Sequence, residues 1–529
     1  MGSLCDDLLR PGILASAKAE PVTLVETHIS WVFLTATEAW KVKKSVDLGF
    51  LDFRTLAARK RACEAEVHLN RRLAKSVYLG AVPVILGADG RHRVDGDGEI
   101  VDWAVRMRRL PDAWRADDRL LRGELSPEAI DAVATRLARF HAQTSHNAAV
   151  EGFGHPAAIR ESIVENFAQT RDVVSDYLSP EQASDLERWQ TSFLAGHEAL
   201  FEARVRMGRI RDGHGDLRLE HVYLDESGEL TFLDCIEFSE RFRFIDVCAD
   251  IAFLSMDLAW HGRVDLAERL LGTYAREADD YDLFSVVDFY ESYRACVRAK
   301  IATLLQTNAA LPSDVASRAT SDARRYFLLA LAASRRPLVT PTLVAVGGII
   351  ASGKSTVARW VASEIGAPVV DADRTRKHML GVEPTRHVND AAWAGAYDLA
   401  FTERVYGEVL RRAELVLASG RSVVIDASFR SQAMRRDVRA LATRLRVPLK
   451  FVECRAPVPT CRARLQQRAT TESVSDGRLD VFDEFVTRFE AMMELDATEH
   501  LVLDTSLPRE TTLSTLRRAL VPWPRGLTA

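Results

Sequence analysis

LVAVGGIIASGKSTVARW, residues 343–360, decides how the chain is read. Gly348, four intervening residues, Gly353, Lys354 and Ser355 fill the phosphate-loop pattern without a gap. Glycine at these positions lets consecutive backbone N–H groups curl around an anion, because a Cβ would obstruct the turn. Ser352 within the turn and Thr356 just after it are counted with the nucleotide-binding residues. Lys354 supplies a mobile cation for the outer phosphates, and the Ser355 hydroxyl a ligand for Mg²⁺. The apolar run before the loop predicts a buried strand, and the spacing after it predicts a helix whose N-terminus faces the same phosphates. The stretch therefore implies a nucleotide site for ATP with Mg²⁺.

The rest of the chain is too long for one core. With 529 residues, two or three domains are expected. Hydrophobic residues at 47% and charged residues at 27% fit a globular protein. A formal net charge of −5 gives no basic footprint and argues against nucleic acid as a partner. No apolar run reaches the roughly 20 residues of a membrane span. The opening MGSLCDDLLRPG carries acid where a signal peptide carries base. Seven cysteines without a CxxC pair suit free thiols, so a cytoplasmic protein is expected, with no membrane partner.

From Leu24 to about Leu110 the pattern suits strands with one helix among them. THISWVFLT and EAWKVKK alternate across a short turn at Ala36 and Thr37, so Lys41 and Lys43 project from one face of a sheet. The helical stretch DFRTLAARKRACEAEVHLNRRL carries Glu64 and Glu66. A strand lysine beside a helix glutamate is the pair with which kinase-type lobes hold α- and β-phosphates. Residues 126–333 then read as mostly helical. His141, inside an apolar stripe, is read as a core histidine, and Arg294 and Arg298 as solvated or internally paired. Residues 211–238 interrupt the helices with a hairpin turning at Ser227 and Gly228, which delivers Asp216 and Asp234 to one end. Phosphoryl transfer needs such a pair: one carboxylate to orient or deprotonate the acceptor hydroxyl, another to hold the bridging metal.

His214-Gly215-Asp216, with Asp234 downstream, resembles the catalytic segment of the aminoglycoside phosphotransferase family, relatives of protein kinases. The resemblance implies a bilobal kinase-like fold over residues 1–335. It makes Asp216 the catalytic base, Asp234 the Mg²⁺ ligand, and Lys41 with Glu66 the phosphate-positioning pair, with Lys43 and Glu64 as substitutes. Asp246 and Asp250 resemble the acidic positions that brace the loop in that family. Two departures stand out. Where the family carries asparagine as a second metal ligand this chain has His221, and imidazole suits Mg²⁺ poorly, so a second metal is expected to be weakly held, absent or bound through Glu220. SWVFLTATEAW also lacks a glycine-rich phosphate cover.

Two prolines and two arginines within residues 334–341 mark a boundary between the halves, with the second domain over 340–529. Beyond it strands and helices alternate as a parallel sheet demands, with strands expected at 343–347, 368–371, 422–426, 449–453 and 500–503. Ligand residues in such sheets gather at strand C-termini. Asp426 there is expected to hold the Mg²⁺ shell through water. Asp373 is expected to meet an acceptor hydroxyl unless it caps a helix, with Arg374 and Arg430 near enough in sequence to orient an anionic group. Arg464 and Arg468 share a helical face before a turn-rich segment of the kind that closes over ATP in small P-loop kinases.

Across almost its whole length the chain resembles bacterial two-domain proteins that join an aminoglycoside-phosphotransferase-like half to a P-loop kinase-like half. The resemblance implies an ATP-dependent phosphotransferase with two nucleotide sites and small hydroxylated acceptors. The alternative is a nucleotide-gated regulator whose N-terminal half has lost catalysis while the P-loop half hydrolyses ATP.

Overall fold

The computed structural model describes residues 3–14, 21–47, 51–306, 313–333, 337, 339–388, 394–468 and 474–521. The chain packs as two compact units, Met1–Arg171 with Gln190–Asp257, and Asp172–Trp189 with Leu258–Ala529.

The first unit is built on a six-stranded antiparallel sheet. Its strands lie in the order Thr23–Glu26, Ser30–Leu34, Glu38–Lys43, Glu99–Arg108, Tyr78–Leu86, His92–Val94. Thr35 closes the tight turn between the second and third strands in sequence, its hydroxyl accepting from Glu38 N at 3.0 Å. The helix Leu56–Asn70 starts at Thr55, whose side chain accepts from Ala58 N. It buries Cys63 and Val67 against Val105 and Met107 of the sheet. Glu66 therefore faces the strand that carries the lysines, while Glu64 stays exposed and pairs with Lys60 of its own helix. Pro127–Gln143 is capped by Ser126, and Val222–Leu224 pairs with Leu230–Phe232 in the expected hairpin. Asp225 accepts from Ser227 N and Glu229 N to tighten that turn. The second hairpin strand ends at Phe232, so Asp234 lies two residues beyond it, at φ 67°.

The second unit contains a five-stranded parallel sheet in the order Val369–Asp371, Val423–Asp426, Leu343–Gly347, Leu449–Arg455, His500–Asp504. The central strand is buried along its whole length, as its unbroken apolar sequence requires. The helix Lys354–Ile365 packs Val357, Ala358 and Val361 against this layer.

The two compact units do not divide at residues 334–341, part of which lies outside the described residues. The helices Val264–Glu277, Val287–Gln306 and Ser313–Ala332 group with the parallel sheet instead. Tyr281 donates its hydroxyl hydrogen to Val369 O, Arg412 pairs with Asp279 at 2.8 Å, and Arg421 with Glu268 at 2.7 Å and Asp288 at 2.8 Å. Gly272 makes the approach possible: a Cβ there would lie 3.2 Å from Pro368 Cα. Proline and arginine in a linker mark where regular structure stops, and they carry no information about which surfaces cohere. Arg294 turns inward and is buried, and half-buried Arg298 lies 5.7 Å over the Tyr326 ring, which fits the internal of the two readings rather than the solvated one.

Candidate active sites

In the second unit the phosphate loop joins the central strand to the helix beginning at Lys354. Gly348 at φ 141° and Gly353 at φ 92° take backbone conformations that side chains rarely adopt. A Cβ on Gly348 would stand 2.5 Å from Cys454 O. Ala351, left-handed at φ 60°, is a non-glycine residue held in an unfavourable region within the loop. Lys354 Nζ donates to Ile349 O at 2.9 Å and so lies across the loop mouth. Ser352 Oγ is buried without a hydrogen-bond partner among the described residues, a deficit that a phosphate oxygen would satisfy. Ser355 and Thr356 are exposed in the first helical turn. Arg464 reaches the loop from the helix Val458–Arg468, donating to Ala351 O at 3.3 Å and Thr505 O at 2.6 Å. Arg468 ends that helix, and the turn-rich residues 469–473 after it lie outside the described residues.

Three carboxylates gather beside this loop. Asp371 and Asp426 end neighbouring strands in register, and Asp373 follows in the first turn of the helix Ala372–Met379. Burial, then the charges of Asp426 and Asp373, push the Asp371 carboxyl up to about 7. Burial also raises Asp426, although the Lys354 charge and the Ser355 hydroxyl pull the other way. Asp371 and Asp426, both held above the ordinary carboxylate value by burial, would gain from a divalent cation beside them. Among the described residues no three His, Cys, Asp or Glu side chains are arranged to hold a metal alone. Mg²⁺ would then take the Ser355 hydroxyl, water held by Asp426, and phosphate oxygens. The helix cap weighed for Asp373 is made by Asp371, which accepts from Arg374 N at 2.8 Å and leaves the Asp373 carboxylate for other work. Arg374 pairs with Glu277 at 3.2 Å and is drawn away from the acceptor role its sequence position suggested. Arg430 has its pKa lowered, by burial first and then by Arg488 among its neighbours.

In the first unit the paired-lysine strand meets Glu66. Lys41 Nζ lies 3.0 Å from Glu66 Oε1 and 2.6 Å from Asp234 Oδ1. Lys43 Nζ lies 2.5 Å from Glu66 Oε2 and also pairs with Glu237. The sequence thus offered Lys41 and Lys43 as alternatives, and the fold uses both on one glutamate. Burial works to raise the Asp234 carboxyl, and the charge and hydrogen bond of Lys41, with the charges of His221 and Lys43, together outweigh it and hold the group well below the usual carboxylate range. Tyr78 fixes the site from behind, its hydroxyl oxygen accepting from Asp234 N at 3.2 Å, while Asn70 Oδ1 accepts from Cys235 N at 2.9 Å.

His221 stands between the two acids. Its Nδ1–H donates to Asp216 O at 2.7 Å, which turns Nε2 toward Asp234 Oδ2 at 3.9 Å. Arg218 donates to both Asp216 carboxylate oxygens at 3.2 Å. Asp234 would offer Mg²⁺ a carboxylate if Lys41 released it, and His221 would add no oxygen ligand. The fit to one ion is adequate and to a second poor.

Asp250 braces the loop as its position suggested. Its oxygens accept from His214 N at 2.6 Å and Gly215 N at 2.9 Å, and His141 Nε2 lies 3.2 Å away. His141 is therefore a buried structural residue. Asp246 is paired with buried Arg204. Burial pushes Asp250 up, and the hydrogen bond and charge of His141, with His214, overcome it and set the carboxyl at about 2. A depressed carboxyl contributes stability that is present above the unfolded value near 4 and lost as pH falls toward 2. Asp250→Asn should remove part of the acid limb between about pH 4 and 2, read from urea midpoints against pH. An unchanged acid limb would show that Asp250 is not ionised in the native loop.

Sequence reasoning missed Glu237, Tyr78 and Asn70, which act through contacts across the fold. Glu237 alone left a signal, three residues after Asp234 in a segment otherwise apolar.

The phosphate loop, its strand-end aspartates and the parallel sheet define a P-loop domain, joined in one chain to an N-terminal half built on an antiparallel sheet. Residues 343–492 match the family described as AAA domain. The chain belongs to the family of the mycobacterial proteins Rv2004c of Mycobacterium tuberculosis and Mb2027c of Mycobacterium bovis, both described as uncharacterized. Each is 34% identical to it over 498 residues, covering 93% of this chain and 95% of the relative. Among solved structures, a gluconokinase from Sinorhizobium meliloti 1021 aligns with 35% of this chain and 93% of its own, at 19% identity and TM-score 0.24. A choline/ethanolamine kinase family protein from Mesorhizobium loti aligns with 63% of this chain and 97% of its own, at 14% identity and TM-score 0.32. No helix of the described residues is long and apolar enough to cross a membrane.

Proposed function

We propose that this protein is an ATP-dependent phosphotransferase with two nucleotide sites, each passing the γ-phosphoryl group to a hydroxyl of a small acceptor such as a sugar or amino sugar. The observation that carries this reading is the buried Ser352 hydroxyl, without a hydrogen-bond partner among the described residues, in a strained loop beside Asp371, Asp373 and Asp426. Such a site is incomplete without phosphate and a cation. Bound Mg²⁺ would neutralise charge on the β- and γ-phosphates. In the P-loop half Lys354 binds the outer phosphates and Arg464 steadies the loop, with Arg468 on the same helix face. Asp373 accepts the acceptor hydroxyl proton as the new O–P bond forms and the bond to ADP breaks. In the N-terminal half Asp216 takes that proton, Asp234 holds the ion, and Lys41, steadied by Glu66, binds phosphate.

A specific observation favours a second reading for the N-terminal half. Arg218 engages both oxygens of Asp216, and His221 replaces the asparagine, so this half could bind ATP as a regulator without turning it over. Labelled ATP with a panel of amino sugars, aminoglycosides and polyols separates the two. If both halves catalyse, Asp216→Asn removes one phosphorylated product, with a loss of at least about 100-fold, and leaves the other. If Asp216→Asn changes no product and no ATP turnover, the N-terminal half is a regulator.

A further inference from the structure

Outside both sites the first unit carries a recess of about 910 Å³, within the size range of small-molecule pockets. Its walls are the segment 71–76 after the helix Leu56–Asn70, one face of the helix Pro127–Gln143, and residues 229–231 of the hairpin. Five cationic side chains line it, against the two carboxylates of Asp131 and Glu229. In a chain of formal net charge −5 that is a local reversal of sign.

Two of the five cations are engaged in holding the fold. Arg71 Nε donates to Tyr78 O at 2.8 Å. Arg72 donates to Asp212 O and Gly213 O at 3.0 Å each, and its guanidinium lies 5.1 Å over the Phe140 ring. The remaining three, Lys75, Arg136 and Arg139, make no hydrogen bond or ion pair among the described residues. Arg136 and Arg139, three residues apart, share a face of their helix, and Lys75 lines the same recess from the segment 71–76. Ser76 and Thr231 add hydroxyls to the lining. Guanidinium groups match phosphate oxygens in pairs, with charge-assisted hydrogen bonds stronger than neutral ones. Three like charges converging on one concave surface repel one another until an anion enters.

We infer that this recess binds a small phosphorylated molecule carrying at least two negative charges, at a site separate from both nucleotide sites. Its concave form and hydroxyl lining favour a small ligand over an extended polyanion.

The test uses the full chain and inorganic pyrophosphate in EDTA, followed by calorimetry. Pyrophosphate also enters the nucleotide sites, so the comparison is between wild type and R136E/R139E. The recess component should weaken at least about tenfold in the variant, the equivalent of one lost charge-assisted bond. Binding of a fluorescent ATP analogue should stay within about twofold, since neither arginine is in the nucleotide machinery. R136Q/R139Q, which adds no negative charge, should show the same loss in smaller measure at an unchanged melting temperature. Superimposable pyrophosphate isotherms for wild type and R136E/R139E would overturn the inference. So would binding of heparin at these arginines with none of pyrophosphate.

Discussion

Lys354→Ala is expected to lower the P-loop half's ATP turnover by about 100- to 1,000-fold, the cost of removing one preorganised donor to developing phosphate charge. Lys354 Nζ donates to Ile349 O, so the ammonium is already positioned at the mouth and needs only to exchange a carbonyl for phosphate oxygens. Alanine removes the cation and leaves the Gly348 and Gly353 backbone intact. Folding should therefore be spared, and the loss should fall on nucleotide affinity and turnover together. The same substitution removes the charge that counters burial at Asp426. Mg²⁺ dependence should thus shift to higher concentration in the variant. Steady-state ATP turnover across a Mg²⁺ series checks both statements. Turnover within a few-fold of wild type would show that ATP is not processed at this loop.

Lys43→Met should produce the largest loss of stability, about 3–5 kcal/mol, the usual cost of stripping one partner from a buried ion pair. Lys43 has no exposed side-chain surface, nor has Glu66, and Glu237 is buried beside them. Without the ammonium, Glu237 keeps its burial penalty and loses its main counterweight, and its carboxyl already sits above the ordinary value because of that burial. The sign for pH follows directly. A carboxyl whose folded pKa is raised adds stability below its unfolded value, and that contribution is lost as pH rises through the folded one. The deficit of Lys43→Met should therefore shrink as pH falls from 7 toward 5. Lys43→Met/Glu237→Gln should recover much of it. Urea midpoints across that range decide the matter, and a deficit independent of pH would mean Glu237 is not the stranded charge.

The parts of the fold set by local chemistry were readable from the residues. The phosphate loop is contiguous, and its strand is an apolar run with no competing period, so 343–347 was placed to the residue. Asp216 and Asp234 were readable because a two-strand hairpin must return its ends to one place. Glu66 could not be separated from Glu64 in the sequence, since the choice depends on which helix face the sheet covers. Glu237, Tyr78 and Asn70 reach the site through backbone turns after Phe232 that no periodicity encodes. The cap of the helix Ala372–Met379 is Asp371, and the sequence could not separate it from the alternative weighed for Asp373, because both are good caps in isolation. Only the register of the parallel strands distinguishes them.

The attachment of the helices from Leu258 onward to the parallel sheet has a practical consequence. A chain severed near Pro341 would begin at a natural-looking joint, yet it would strand Arg421 without Glu268 and Asp288, and Arg412 without Asp279. Val369 would lose the phenol that tethers its carbonyl. Cohesion and covalent order thus draw different seams through this molecule, and an amputated C-terminal fragment would be a poor proxy for how that half behaves when whole.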